Sequence, residues 1–114
     1  MIICVPIDSA DAVDPRWGRA ERVALATVED GAIREWRELS VGWDSLHDAG
    51  SEAAHHARVA RFLRENSVDV VVAHHMGAGM SRMLNAMRVT VQLGEGGDAR
   101  LAVLSASPSA KPAD

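Results

Sequence analysis

Five histidines, one cysteine and a short glycine-rich segment hold most of the chemistry open to this chain. The histidines are His47, His55, His56, His74 and His75. Imidazole nitrogen is a good ligand for iron, copper, nickel or zinc, and thioether sulfur suits softer metals. Cys4 stands alone, so no disulfide closes within the chain and the usual four-thiolate iron–sulfur ligation is unavailable. Inside the apolar run Ile2–Ile7 it reads as a small buried hydrophobe. Met80, Met83 and Met87 recur at helical spacing and read as core filling rather than as ligands.

The segment His75-Met76-Gly77-Ala78-Gly79 joins a strand to a helix. Gly77 and Gly79 let the backbone bend tightly, and amides at a helix N-terminus attract anions such as phosphate or an anionic metal–sulfide cluster. It is not a dinucleotide fingerprint, because Arg82 occupies the third glycine position, and no Gly-Lys-Ser/Thr of a phosphate loop follows. A plain strand–helix turn is the alternative. Arg16-Trp17-Gly18-Arg19 lies in the first loop. There Trp17 could cover a cofactor while the arginines pair with an anion, or the group could be a surface packing pair.

These residues need elements to position them. The branched apolar run Ile2–Ile7 reads as a buried strand ending at Asp8, with Pro6 loosening its last hydrogen bonds. A loop follows over residues 9–20, with Asp14-Pro15 as a turn signal. Val23 to Glu29 and Ile33 to Leu39 alternate around Asp30-Gly31, which predicts an antiparallel hairpin. Strict alternation puts Ile33, Glu35 and Arg37 on one face and Trp36 on the other. After a loop over 42–50, Ser51 is an N-cap with Glu52 in the first turn, and the helix runs to about Asn66. His55, Val59, Phe62 and Leu63 form its apolar stripe. Val68–Ala73 is a buried strand. A second helix after Gly79, a strand over Val89–Leu93 and a helix capped by Asp98 complete residues 1–106. The small, polar, Pro-containing residues 107–114 read as a disordered tail.

The order β-β-β-α-β-α-β-α gives an α/β fold. A hairpin followed by right-handed βαβ units predicts a five-stranded mixed sheet in the order 3-2-1-4-5 with helices on both faces, the order of a ribonuclease-H-like three-layer fold. The first, third and fourth strands then run parallel, so their carboxyl ends share one edge, where open α/β sheets favour ligands. Asp8, the loop with Trp43 and His47, the helix start with His55, and His74, His75 and Met76 all fall at that edge. His47, His55, His74 and His75 are therefore the candidate metal ligands. Each histidine taken singly also fits a surface or structural role, since polar residues are mostly exposed.

A net charge of −4 argues against nucleic acid as the main partner. Arg58, Arg61 and Arg64, at i, i+3 spacing, fit the solvated face of a helix better than a nucleic-acid patch. The chain shows no signal peptide and no membrane-spanning run, so no membrane partner is expected and the cytoplasm is the default location. With 114 residues, 47% of them hydrophobic, one domain with one core is expected. A monomer and a homodimer are both open. An exposed Trp17 or Trp43 would serve a dimer contact.

Three segments together resemble a known family. Ile2-Ile3-Cys4-Val5-Pro6-Ile7-Asp8 is similar to the start of the dinitrogenase iron–molybdenum cofactor biosynthesis proteins, the NifX and NifB C-terminal type that includes the orange protein. Arg16-Trp17-Gly18-Arg19-Ala20 lies where the family usually has His-Phe-Gly-Arg-Ala. Val68–Ala73 followed by Met76-Gly77-Ala78-Gly79-Met80 is similar to its strand and glycine turn. The resemblance spans Met1 to about Ala106. It implies a ribonuclease-H-like fold and binding or carriage of an iron–molybdenum or related metal–sulfur cluster, without catalysis, among cofactor-assembly or recipient proteins.

On that resemblance Asp8, Arg16, Trp17, Gly18, Arg19, Met76, Gly77 and Gly79 are candidate cofactor-binding residues. One departure stands out: Arg16 replaces the family histidine, and guanidinium is a poor metal ligand that can still pair with a cluster's negative charge. His74 and His75 would then supply the imidazole. Other readings stay open. One is a mononuclear transition-metal site of zinc type using three imidazoles and Asp8. Another is a regulatory or binding domain that has lost its cofactor. A nuclease is disfavoured, since two-metal chemistry needs several carboxylates at one centre and only Asp8 is placed for it.

Overall fold

The structure, a computed structural model, describes residues 1–46 and 50–106. His47 and the tail expected over 107–114 lie outside the described residues. Strands β1 (Ile2–Ile7), β2 (Arg22–Glu29), β3 (Ala32–Ser40), β4 (Val70–Ala73) and β5 (Thr90–Leu93) form one sheet in the order β3-β2-β1-β4-β5. β1 and β3 each pair antiparallel with β2, while β4 lies parallel to both β1 and β5. This is the mixed α/β sheet that the element order predicts.

Period-2 alternation explains why helices are needed on both faces. Cys4, Val23, Leu25, Val71 and Ala73 point to one face. There they pack with Val59 and Leu63 of helix α2 (Glu52–Glu65) and with Met80 and Leu84 of α3 (Ala78–Ala86). Ile3, Val5, Ala24, Ala26, Val70 and Val72 point to the other, under Ala99, Val103 and Ala106 of α4 (Ala99–Ala106). Burial of Cys4 pushes its thiol pKa well up, so it stays protonated and inert within the sheet. Ser51 Oγ accepts from the Ala54 N–H at 3.0 Å, and Asp98 Oδ1 accepts from Leu101 N–H at 3.0 Å, as the capping residues predict.

The hairpin turn has positive φ at Asp30 (53°) and Gly31 (75°), the combination that matches the twist of the flanking strands. Alternation fails just beyond it. The register shifts so that Thr27 faces Glu35 while Val28 faces Ile33, leaving Arg34 as the extra residue of a bulge. Ile33 therefore joins Trp36 on the α4 face, not the face opposite as strict alternation predicts. Arg100 lies over the Trp36 ring, 4.3 Å from its centroid.

Both stretches expected as plain loops contain structure. Residues 17–19 make a 3-10 turn, and Trp43–Leu46 form a short helix α1. Each buries a tryptophan. Trp17 is 3% and Trp43 2% exposed; their rings meet edge to face at 5.3 Å, and Phe62 meets Trp43 edge to face at 5.6 Å. Neither ring is a surface contact, which corrects the expectation of an exposed tryptophan at a dimer interface. Burying such rings removes 150–250 Å² of surface each, about as strong a local driving force as this small core has. Among the described residues no helix is long and apolar enough to cross a membrane.

Candidate functional site

β1 and β4 lie side by side and leave the sheet at the same edge. β1 runs on through a loop to the 3-10 turn 17–19. β4 leads through His74–Gly77 into α3. The start of α2 approaches from the third side. Between these elements opens a cleft of about 550 Å³. The turn supplies Gly18 and Arg19, the α2 side supplies Gly50, Glu52, His55 and His56, and Gly77 to Met80 form the remaining wall.

The two helix starts differ. Ser51 caps α2, whereas α3 begins at Gly77, in extended backbone (φ −65°, ψ 154°) with no side-chain cap. The first amides of α3 are therefore left for whatever enters the cleft, at the positive end of the helix dipole. Small residues keep that end accessible. A Cβ at Gly79 would come 3.4 Å from His56 Cε1, so a side chain there would have to grow into the cleft. Arg19 is exposed and, among the described residues, has no carboxylate partner. His56 is partly exposed, its Nε2 lies 3.9 Å from Glu52 Oε1, too far for a hydrogen bond, and among the described residues its ring has no hydrogen-bond partner.

Of the residues singled out from the sequence, Gly18, Arg19, His55, Gly77 and Gly79 come together here. His55 arrives in a different role from the one expected. It is 3% exposed, with Nε2 2.7 Å from the Gly18 carbonyl oxygen and Nδ1 2.7 Å from Arg58 Nη1. A carbonyl only accepts and a guanidinium only donates, so Nε2 carries the proton and Nδ1 accepts. With both ring nitrogens engaged, His55 has no lone pair to offer a metal. Arg58 is half-buried and also donates to the Leu46 carbonyl at 3.1 Å, while Arg61 and Arg64 are exposed, as expected for a solvated face.

The other candidates lie apart. Asp8 and Arg16 border a separate depression of about 260 Å³ together with Asp14, Glu21, Arg22 and Asp44. Asp8 Oδ1 accepts from the Ala10 and Ala12 amides at 2.8 and 3.0 Å, which ties down the loop after β1. Arg16 reaches Asp14 at 3.4 Å. Trp17 is core, and its Nε1 is a buried donor without a partner among the described residues. His74 donates from Nδ1 to the Gly94 carbonyl at 3.0 Å, toward the loop after β5. His75 is exposed, and Met76 packs half-buried against the α2/α3 core. Among the described residues no three His, Cys, Asp or Glu side chains are grouped to hold a metal ion.

Sequence reasoning passed over His56. The signal was present in the apolar stripe itself. His55 shares that stripe with Val59 and Leu63 and so must be buried, while the next residue turns about 100° onward, to the flank that meets the cleft.

The model of the family described as dinitrogenase iron–molybdenum cofactor matches residues 1–107. The chain belongs to this family. No curated protein matches the sequence at a significant level. Several solved structures share the fold. The crystal structure of PH0822 superposes with a TM-score of 0.73 at 16% identity, covering 93% of this chain and 88% of that one. The NMR structure of a Thermotoga protein, TM1290, for which a NifB identity has been suggested, gives 0.60 at 24% identity, covering 90% and 83%. Family membership places the chain in the context of iron–molybdenum cofactor binding or biosynthesis.

Proposed function

We propose that the chain binds an iron–molybdenum or related metal–sulfur cluster as cargo in the cleft beside Gly77–Gly79, acting in the cytoplasm as a carrier or scaffold between assembly and recipient proteins rather than as an enzyme. The observation that carries this reading is the uncapped start of α3 facing a cleft whose other walls hold Arg19 and His56. Metal–sulfide clusters are anionic. Free amides and the helix dipole suit their sulfurs, a guanidinium supplies counter-charge, and an imidazole offers nitrogen to a metal. A groove without a closed ligand set suits cargo that must leave again.

In this reading Gly18, Arg19, Gly77 and Gly79 touch the cargo, with His56 as the imidazole. Asp8, Arg16 and Trp17 act from behind, shaping the loop that ends at Gly18, and Met76 supports the glycine turn from the core side. His74 and His75 are assigned no direct contact, because His74 is held toward the β5 loop and neither lines the cleft. A zinc-type mononuclear site lacks its ligands among the described residues.

Elemental and acid-labile sulfide analysis of protein purified anaerobically from its native host tests the proposal. Iron or molybdenum accompanied by sulfide is the expected result. Stoichiometric zinc without sulfide, or metal-free protein that takes up no tetrathiomolybdate on anaerobic titration, would overturn it.

A further inference from the structure

We propose that His55 is a positioning residue that sets the Gly18–Arg19 wall of the cleft through the Gly18 carbonyl, without touching the cargo; this rests on the cargo reading of that cleft. The 3-10 turn 17–19 is short and has no side-chain cap at its start. Its internal hydrogen bond is Arg19 N–H to the Arg16 carbonyl at 3.0 Å. Trp17 anchors it by burial on one side. On the cleft side, the side-chain hydrogen bond that reaches it comes from His55 Nε2. The same ring accepts from Arg58, which also donates to the Leu46 carbonyl. One relay thus ties the turn, α2 and α1 together. Arg19 directly follows the carbonyl that the relay holds, so that bond fixes the peptide from which the Arg19 side chain leaves.

The adjacent histidines then divide the work. His56 meets the cargo, and His55 holds the wall opposite. The Gly18 carbonyl requires a proton on Nε2 and the Arg58 guanidinium requires a lone pair on Nδ1, and that sets which substitutes can keep each bond. Glutamine places an N–H donor near the position of Nε2 and can keep the Gly18 bond while losing the acceptor for Arg58. Asparagine places an acceptor near Nδ1 and keeps Arg58 while falling short of Gly18. Each variant loses one of these two bonds and keeps the other, so a merely structural role predicts similar losses in both.

The test compares His55→Gln, His55→Asn and the unaltered full-length chain. Anaerobic titration with tetrathiomolybdate gives affinity, and ¹H–¹⁵N spectra of the unliganded proteins report the amides of Gly18 and Arg19. Expected are affinity within about twofold of the parent for His55→Gln, and a loss of about tenfold for His55→Asn, the scale of one unmade buried hydrogen bond. The Gly18 and Arg19 amides should shift in His55→Asn and stay in place in His55→Gln. Equal losses in both variants, or the reverse order, would overturn the proposal. If the parent takes up no tetrathiomolybdate, the cargo reading fails by itself, and the amide shifts decide on the positioning role: unmoved amides in His55→Asn would refute it.

Discussion

Two hollows lie along the carboxyl edge of the sheet, and both are lined by charged residues. In the hollow beside Asp8 both arginines, Asp8 and Asp14 are already tied to partners. Arg16 pairs with Asp14, Arg22 reaches Glu38 at 2.8 Å and also donates to the Asp8 carbonyl, and Asp8 accepts two loop amides. In the cleft beside Gly77 three groups are uncommitted among the described residues: an uncapped helix start, an arginine without a carboxylate partner and an imidazole beyond hydrogen-bond range of Glu52. The first hollow therefore stabilises the loop after β1, whereas the second can stabilise a guest. Charge alone does not mark a binding site; uncommitted donors facing accessible space do.

Substitutions that fill, reverse or trim the two hollows should separate them. The largest effect is expected from Gly79→Leu. Its side chain must enter the cleft beside His56, and tetrathiomolybdate affinity should fall by about a hundredfold or more as contacts with the α3 amides are lost. Thermal stability should hold or rise slightly, since leucine is the better helix former by somewhat under about 1 kcal/mol. Arg19→Glu comes next. It replaces attraction for an anion by repulsion and should weaken binding by about 10- to 100-fold, with a smaller salt dependence than the parent. Arg16→Glu, with the same change in net charge, should cost several-fold less if the hollows differ as described. His56→Ala should weaken binding by about tenfold, as loss of one ligand bond or hydrogen bond would, and should alter the absorbance of the bound species. His75→Ala should change affinity by less than about twofold, within the spread of ordinary surface substitutions; a larger loss would move the site outward along the edge.

Much of this was legible in the sequence, and the rest failed for identifiable reasons. The apolar runs at Ile2–Ile7 and Val68–Ala73, the second of which forms a strand only over Val70–Ala73, and the Asp30-Gly31 turn defined strands whose simplest arrangement is the observed order. The bulge at Arg34 was not legible, because an inserted residue leaves alternation intact on each side. The tryptophans of the two loops gave no sign of burial, since loop composition says nothing about which core lies beneath. For the site, the glycine turn and the first-loop segment with Gly18 and Arg19 were singled out from residue type, topology and family resemblance, and the structure brings Gly18, Arg19, Gly77 and Gly79 to one cleft. The gathering of histidines was not, because the sheet edge is broad enough to hold His74 toward β5 and His55 inside the core. Helical phase distinguished His55 from His56 all along: the residue on the apolar stripe is a buried support, and its neighbour is the one that meets solvent.

The central claim is that an anionic metal–sulfur species binds between the 3-10 turn and the start of α3. Anaerobic titration of ¹⁵N-labelled protein with tetrathiomolybdate, followed residue by residue in ¹H–¹⁵N spectra, tests it most directly. Saturable shifts should concentrate at Gly18, Arg19, His56 and Gly77 to Met80. Shifts centred instead on Asp8 and Arg16, or on His74, His75 and the loop after β5, would contradict it.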